Sequence, residues 1–349
     1  MKNIFVVLVF VIFSGVVSCQ TDNDTLFIGS WNLQNLFDTV DDSLKDDKEF
    51  LPGSDLEWTE DRLDKKMYNH SRVIRMMNNG QGPDILGVCE VENEAVLAEM
   101  VNRYLPDLGY DVAYIESPDN RGIDNGLIFK REKFKLLSML ADTVHLADGW
   151  PTRLIVGVNL LMNDKDVFTV FVNHWPSRRG GQIESEPNRI AAAQTLRKSV
   201  DRIFAADSNA MLIIIGDFND EPTDKSILEE LEAHPLKCDS LQSDFEFASE
   251  KELFNVSYEV YENGEGSYKY KDDWNLLDQV IISGSLVTGM GYKYLCGSFE
   301  IFKPEFIVTK TGQYAGTPFP TYGGSRYLGG YSDHFPVTAK FINQRKKID

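Results

Sequence analysis

Met211-Leu-Ile-Ile-Ile-Gly-Asp-Phe-Asn-Asp-Glu-Pro222 is the stretch whose reading decides the fold. The unbroken apolar run from Met211 to Ile215 reads as a short strand covered on both faces, and Gly216 lets the chain turn at its end. Asp217 and Asn219 follow at the mouth. Two residues apart in extended chain, they point the same way and can meet one ligand together. Strand ends are where open α/β sheets put their chemistry. An Asp/Asn-rich turn behind a core strand is the plain alternative, so the weight falls on partners elsewhere in the chain.

Just upstream, Ser185-Glu-Pro187 reads as a helix start, Ser185 as its cap and Pro187 in its first turn. Ile190, Ala193, Leu196, Val200, Ile203 and Phe204 then share one face, with Arg189, Arg197, Lys198 and Asp201 turned outward. Downstream, a second helix is expected over residues 223–233. Before these, residues 156–161 and 166–172 read as two strands across the turn Asn163-Asp-Lys165, the second running into Asn173-His-Trp-Pro-Ser-Arg-Arg179. Nearer the start, residues 26–33 form a strand ending in Trp31-Asn-Leu-Gln34, followed by an acidic loop (38–55) and a helical stretch (56–78). Residues 83–93 read as a buried strand ending on acids, 94–104 as a helix, and 111–115 and 126–130 as strands around the turn at 119–124. Toward the end, residues 276–282 are strand-like. Residues 297–330 form a long Gly- and aromatic-rich loop suited to selecting a substrate, and Tyr331-Ser-Asp-His-Phe-Pro336 leads into a closing strand at 337–342. Strands alternating with helices, without a repeat or a linker, point to α/β layers.

The 349 residues carry a net charge of -19, from 54 Asp and Glu against 35 Lys and Arg. That balance weighs against affinity built on neutralising many phosphates, though not against an enzyme that meets phosphate through a metal ion and a few arginines. Residues 1–19, with Lys2 and an apolar run at 4–13 too short to span a bilayer, read as an export signal. Val16-Val-Ser-Cys19 resembles a loose bacterial lipoprotein box, which would leave Cys19 lipidated and residues 20–25 as a tether. A secreted or periplasmic protein and an outer-membrane lipoprotein both stay open. Of the other cysteines, Cys89 reads as a core thiol, and whether Cys238 and Cys296 pair in an oxidising compartment is not decided by spacing.

Collecting strand ends gives Asn32, Glu90, His174, Asp217, Asn219, Asp278, Asp333 and His334. Each alone is an ordinary turn, cap or core residue; together they are a set of oxygen and nitrogen donors, every one at the edge of a buried strand. Carboxylates and amides without thiolates suit a hard cation, Mg²⁺ or Mn²⁺ with Ca²⁺ as a third choice. Of the five histidines, only His174 and His334 fall at strand edges beside acids.

Trp31-Asn-Leu-Gln34, Cys89-Glu90, Asn173-His174-Trp175, Gly216-Asp-Phe-Asn219, Leu277-Asp278 and Ser332-Asp-His334 resemble, in order, the motifs of the endonuclease/exonuclease/phosphatase superfamily. The resemblance runs over residues 26–343 as a single domain. It implies a four-layer α/β sandwich, two mixed sheets flanked by helices, hydrolysing phosphoesters with a divalent metal. It makes Glu90 the main metal ligand, with Asn32 and Asp333 beside it. Asp217 would orient or deprotonate water, Asn219 and His174 would donate to the phosphoryl oxygens, and His334, held by Asp278, would bind phosphate. Asp124 would pair with His174. Arg121, Arg153, Arg178, Arg179 and Arg326 are the candidate substrate contacts. The expectation is a monomeric, exported nuclease acting on DNA or RNA. A phosphatase or phospholipase-C-like enzyme acting on a phospholipid headgroup or sugar phosphate is the alternative, and a non-catalytic envelope binding protein the third.

Overall fold

The computed structural model describes residues 25–345 except 148, 239–248 and 290. The expected export signal, Cys19 and residues 20–24 of the tether lie outside the described residues.

In chain order the elements are β1 (Thr25–Leu36), α1 (Glu60–Met76), β2 (Ile85–Val91), α2 (Glu94–Tyr104), β3 (Tyr110–Tyr114), β4 (Asp124–Lys130), β5 (Phe134–Asp142), β6 (Ile155–Met162), β7 (Asp166–His174) and α3 (Gln182–Ala206). There follow β8 (Met211–Asp217), β9 (Ala233–Pro235), β10 (Leu253–Asn255), α4 (Tyr258–Glu262), β11 (Tyr268–Tyr270), β12 (Asp273–Asn275), β13 (Asp278–Ser283) and α5 (Ser285–Thr288). The last are β14 (Tyr292–Tyr294), β15 (Glu300–Ile301), β16 (Tyr322–Gly323), β17 (Arg326–Tyr327) and β18 (Val337–Asn343). One sheet runs β14-β18-β1-β2-β4-β3, with β15 also on β18; the other runs β5-β6-β7-β8-β13-β10-β9. Both are mixed: β1–β2 and β7–β8 are parallel, while β18 and β13 join them antiparallel.

The run at 211–215 shows why the sheets stack. Along β8, Ile213 and Ile215 point into the core shared with the first sheet, and Leu212 and Ile214 point outward to Ala192, Ala193, Leu196 and Val200 of α3. Period-two alternation thus places an apolar side chain in each of two layers, and full burial of each contributes roughly 1.5–3 kcal/mol. Facing β8 across the shared core is Gly87 of β2, where a Cβ would lie 2.7 Å from Cδ1 of Ile215. With α1 and α2 outside the first sheet and α3 outside the second, the result is a four-layer sandwich.

Several local expectations need correction. α3 begins at Gln182, so Ser185 is not its cap; its hydroxyl bonds back to the Gly181 carbonyl. Pro187 lies inside the helix, and the carbonyl it leaves without an amide, that of Ile183, is in an exposed turn where water can reach it. Arg189 does not face outward: it is fully buried, its Nε 2.6 Å from Oδ1 of Asp220. The helix expected over 223–233 shrinks to a π turn, Ser226–Glu230, and β9 begins at Ala233. Strand β5 was not anticipated. Seven of its nine residues are exposed, so neither apolar burial nor alternation marks it. Cys89 is a buried free thiol, and Cys238 and Cys296 are disulfide-bonded.

Candidate functional site

Parallel pairing of β1 with β2 and of β7 with β8 brings the carboxyl ends of these four strands to one rim, where β13 and β18 begin. Asn32 comes from β1, Glu90 from β2, His174 from β7, Asp217 from β8 and Asp278 from β13. Asp333 and His334 come from the segment before β18. All of these except Asp278 line one cavity of about 680 Å³.

Two backbone devices aim these side chains. Glu90 sits in a bulge where the register of β2 against β4 slips between Cys89 and Val91, and its φ is 61°. A left-handed φ is unusual for a glutamate and belongs with bulges that re-aim a side chain beside a site. Asn219 is likewise left-handed, at φ 51°. Its backbone N–H donates to Oδ1 of Asp217 at 2.9 Å, and its Nδ2 donates to the Trp175 carbonyl at 3.0 Å. The following Asp220 is clamped by Arg189, by the Ser226 hydroxyl at 2.6 Å and, through its carbonyl, by Nε2 of Gln279 at 2.6 Å. Gly216 lets β8 run against β7 here, because a Cβ at its φ of 141° would fall 1.9 Å from the Asn173 carbonyl oxygen.

Asp217 is the hub. Its Oδ2 accepts from Nδ2 of Asn32 at 3.1 Å and lies 3.7 Å from Nε2 of His174 and 3.9 Å from Nε2 of His334. Burial raises its carboxyl to about 6, against the nearby His334 charge. His334 is tied from behind: its Nδ1 is 2.7 Å from Oδ2 of Asp278, which also accepts from the Ser267 hydroxyl at 2.6 Å. Burial works to lower the His334 ring, but the carboxylates of Asp278, Asp217 and Asp333 win and push it up to about 10. Tyr268 stacks on that ring with centroids 4.7 Å apart. Burial holds His174 well below the ordinary histidine value, helped by the charges of Arg153, Arg121 and His334. Among the described residues its Nδ1 has no hydrogen-bond partner.

Asp124 is not that partner. Side chains alternate along β4, and Asn125 takes the inward side, donating to the Leu154 carbonyl at 2.8 Å. Asp124 therefore turns away, accepting from the Tyr114 hydroxyl and, at 3.0 Å, from the Ser117 amide. The arginines divide. Arg153 and Arg178 line the cavity but are committed. Arg153 donates to the carbonyls of His174 and Trp175 and pairs with Asp119, while Arg178 donates to the Asn219 carbonyl and pairs with Asp224. Arg121 makes one side-chain contact, to Oδ1 of Asn35, and Arg179 makes none among the described residues, so both have donors free at the cavity wall. Arg326 lies outside this cavity, in a neighbouring hollow.

The sequence reading missed Ser267 and Tyr268 behind and against His334, and also Lys66. Lys66 is buried beneath the site, its Nζ donating to Oγ1 of Thr321 at 2.6 Å. Burial lowers it to about 7 against the pull of Asp333 and Glu90. An ionisable residue that α1 buries on its inner face was the available signal.

The donors fit a hard divalent cation. Glu90 receives one long hydrogen bond, 3.3 Å from Nδ2 of Asn32, and the Asp333 carboxylate is met by its own backbone N–H. Two under-satisfied carboxylates thus face one cavity. Among the described residues no group of three or more acids, histidines or cysteines is placed to hold a metal ion by itself. Mg²⁺ does not need one, since it keeps several waters and takes one or two carboxylates.

Fold and donor set define a class, the phosphoester hydrolases built on a two-sheet sandwich. The chain belongs to the Endonuclease/Exonuclease/phosphatase family, whose model matches residues 27–343. Three similar solved structures are the human Nocturnin catalytic domain (18% identity, 92% of this chain and 94% of that one, TM-score 0.54), D. rerio TDP2 humanized by 14 mutations (14%, 91% and 98%, 0.54) and a Bacteroides thetaiotaomicron mannosyl-6-phosphatase (14%, 91% and 99%, 0.55). Identities this low speak for the fold alone. No curated protein matches the sequence.

Proposed function

We propose that this chain is an exported, divalent-metal-dependent nuclease that takes an extended single strand of DNA or RNA across its rim. The observation that carries this reading is a groove longer than one phosphate needs. A second hollow of about 820 Å³ shares Tyr268 and Asp333 with the central cavity and is lined by Lys269, Lys271, Arg326 and the exposed Tyr314. Cations tracking a backbone beside aromatic faces that stack bases are what a single strand requires. Arg121 and Arg179 would meet the strand on the other side.

Glu90 and Asp333, with Asn32 between Glu90 and Asp217, would hold the metal, whose charge polarises the phosphoryl group. Asp217 orients a water and takes its proton as the water oxygen bonds to phosphorus and the P–O bond to the leaving group breaks. His334, kept cationic by Asp278, and Asn219 and neutral His174 as donors meet the charge that builds on the phosphoryl oxygens. Donors fixed in advance in a buried site act most strongly there. A non-catalytic binding protein would not need an acid, a charged histidine and a neutral one converging within 4 Å.

The net charge of -19 favours a second reading, a phosphatase acting on a sugar phosphate or phospholipid headgroup, because a small substrate needs only the local arginines. A panel of single-stranded and duplex DNA, RNA, sphingomyelin, inositol phosphates and hexose phosphates, each with Mg²⁺ or Mn²⁺, separates the two. Single strands should be cut fastest, chelation should abolish cutting, and Mg²⁺ should restore it. Turnover confined to monoesters would replace the nuclease reading with the phosphatase one, and rescue by zinc alone would sink the hard-cation assignment.

A further inference from the structure

We propose that two copies of this chain associate edge to edge through β5, about a two-fold axis at Ser138, and so join their second sheets into one. This departs from the monomer expected from sequence. β5 closes its sheet on one side: it pairs with β6, and among the described residues no backbone hydrogen bond reaches residues 134–142 from any other element. Natural sheets shield such an edge with charges, prolines, bulges or a covering loop, and of these β5 has Lys135 and the bulge at Leu137. Here residues 136–141 read Leu-Leu-Ser-Met-Leu-Ala, and Leu136, Leu137, Met139 and Leu140 are all exposed, Leu137 at 47%. The bulged Leu137 lines, with Leu140, Val167 and Ile203, a hollow of about 530 Å³ between the sheet and α3.

The occupant is argued from pattern and charge. The stretch is nearly its own mirror image about Ser138. Because the bulge makes Leu136 and Leu137 a single step, antiparallel self-pairing about Ser138 sets the two together against the partner's Met139, apolar on apolar at both ends, and sets Lys135 against the partner's Leu140. Such a two-fold interface presents one patch to its own copy. In a chain of net charge -19, residues 134–141 hold no acid, so two copies can approach here without facing carboxylates. Lys135 has no ion-pair partner among the described residues, and the pairing leaves it diagonal to the partner's Asp142, which in its own chain already pairs with Arg202 at 2.7 Å. β5 carries none of the cleft residues, so both sites stay open in the pair.

Sedimentation velocity of the purified chain over a micromolar concentration series should show mass rising about twofold toward a dimer. Leu137→Lys/Met139→Lys, which sets like charges opposite one another, should stay monomeric while melting and hydrolysing as the parent does. Ser138→Cys tests register: mild oxidation should give a disulfide-linked dimer, with Cys89 too buried to compete. A parent that stays monomeric throughout, a dimer that survives both lysines, or a Ser138→Cys variant that does not link overturns the proposal. So does a monomer that floats with phosphatidylcholine vesicles until the lysines are introduced, which would make a lipid surface the occupant.

Discussion

His334 and His174 face Asp217 from two sides of one cleft, at 3.9 and 3.7 Å, and they are held in opposite ways. Behind His334 stand Asp278 and Ser267, and Tyr268 covers its face, so the ring keeps its proton to about 10. Behind His174 there is no acid: its Nδ1 lacks a partner among the described residues, and the positive charges of Arg153 and Arg121 add to burial in keeping it neutral. One imidazole is a fixed cation and the other a neutral donor. A cleft that must gather negative charge on phosphorus while leaving Asp217 able to accept a proton has use for both. Two imidazolium rings beside Asp217 would hold its carboxylate too strongly to take one.

The comparison breaks most visibly at its shared neighbour. Asp217→Ala and His174→Ala should each lower kcat by roughly a thousandfold or more, the combined scale of a lost base and a lost transition-state donor, with the fold retained by circular dichroism. A His174→Ala enzyme that turns over normally would reduce that ring to a packing residue. The next largest effect isolates the supported ring. Asp278→Asn should cost about a hundredfold, His334→Gln a similar amount, and the double variant little more, because both changes remove one charge. Additive losses would mean that Asp278 acts on something other than His334.

The donors of this cleft were legible in the sequence because strand ends announce themselves. An apolar run that stops on an acid places that acid at a rim, and the parallel β1–β2 and β7–β8 pairs bring the rims together. What was not legible is whatever depends on a side chain's direction after an irregularity. The bulge at Glu90 and the left-handed Asn219 cannot be counted from spacing. Asp124 was assigned to His174 by its place before a strand, yet the alternation of β4 gives the inward position to Asn125. Arg189 reads as a solvated charge on an amphipathic helix and Lys66 stands unremarked among the charges of residues 56–78, yet each is buried on a polar partner contributed from far along the chain, Asp220 and Thr321. β5 hid for the reverse reason, since an edge strand with both faces exposed has no burial pattern to read.

Asp124 sharpens the comparison by a change that should leave catalysis nearly untouched. If His174 works without an acid behind it, Asp124→Asn keeps kcat within a few-fold of the parent, whereas Asp278→Asn does not. Its effect should appear in stability instead. Burial raises the Asp124 carboxyl to about 6, against the hydrogen bonds from Ser117 and Tyr114. The folded chain therefore holds a proton that the unfolded chain releases near 3.8. Stability from this group is fully present below that value and falls as pH rises from about 4 to 6, by at most about 3 kcal/mol. Melting the parent and Asp124→Asn across that window should show the parent losing ground steadily. Parallel curves would refute the buried-acid account.

The smallest effect belongs to Arg179, exposed at the cavity wall and without a partner among the described residues. Arg179→Ala has no ion pair to break and no buried group to strand, so its melting temperature should not move. If the side chain meets a flanking phosphate of a bound strand, KM for a single strand should rise several-fold at unchanged kcat. The slope of log(kcat/KM) against log salt should also flatten by about 0.7, the share of one phosphate contact on a single strand. Arg178 lies beside it but is committed to the Asn219 carbonyl and Asp224, so Arg178→Ala should instead loosen the loop that carries Asn219 and lower kcat. Identical kinetics from the two variants would mean that position in the cleft, rather than freedom from partners, decides what an arginine does there.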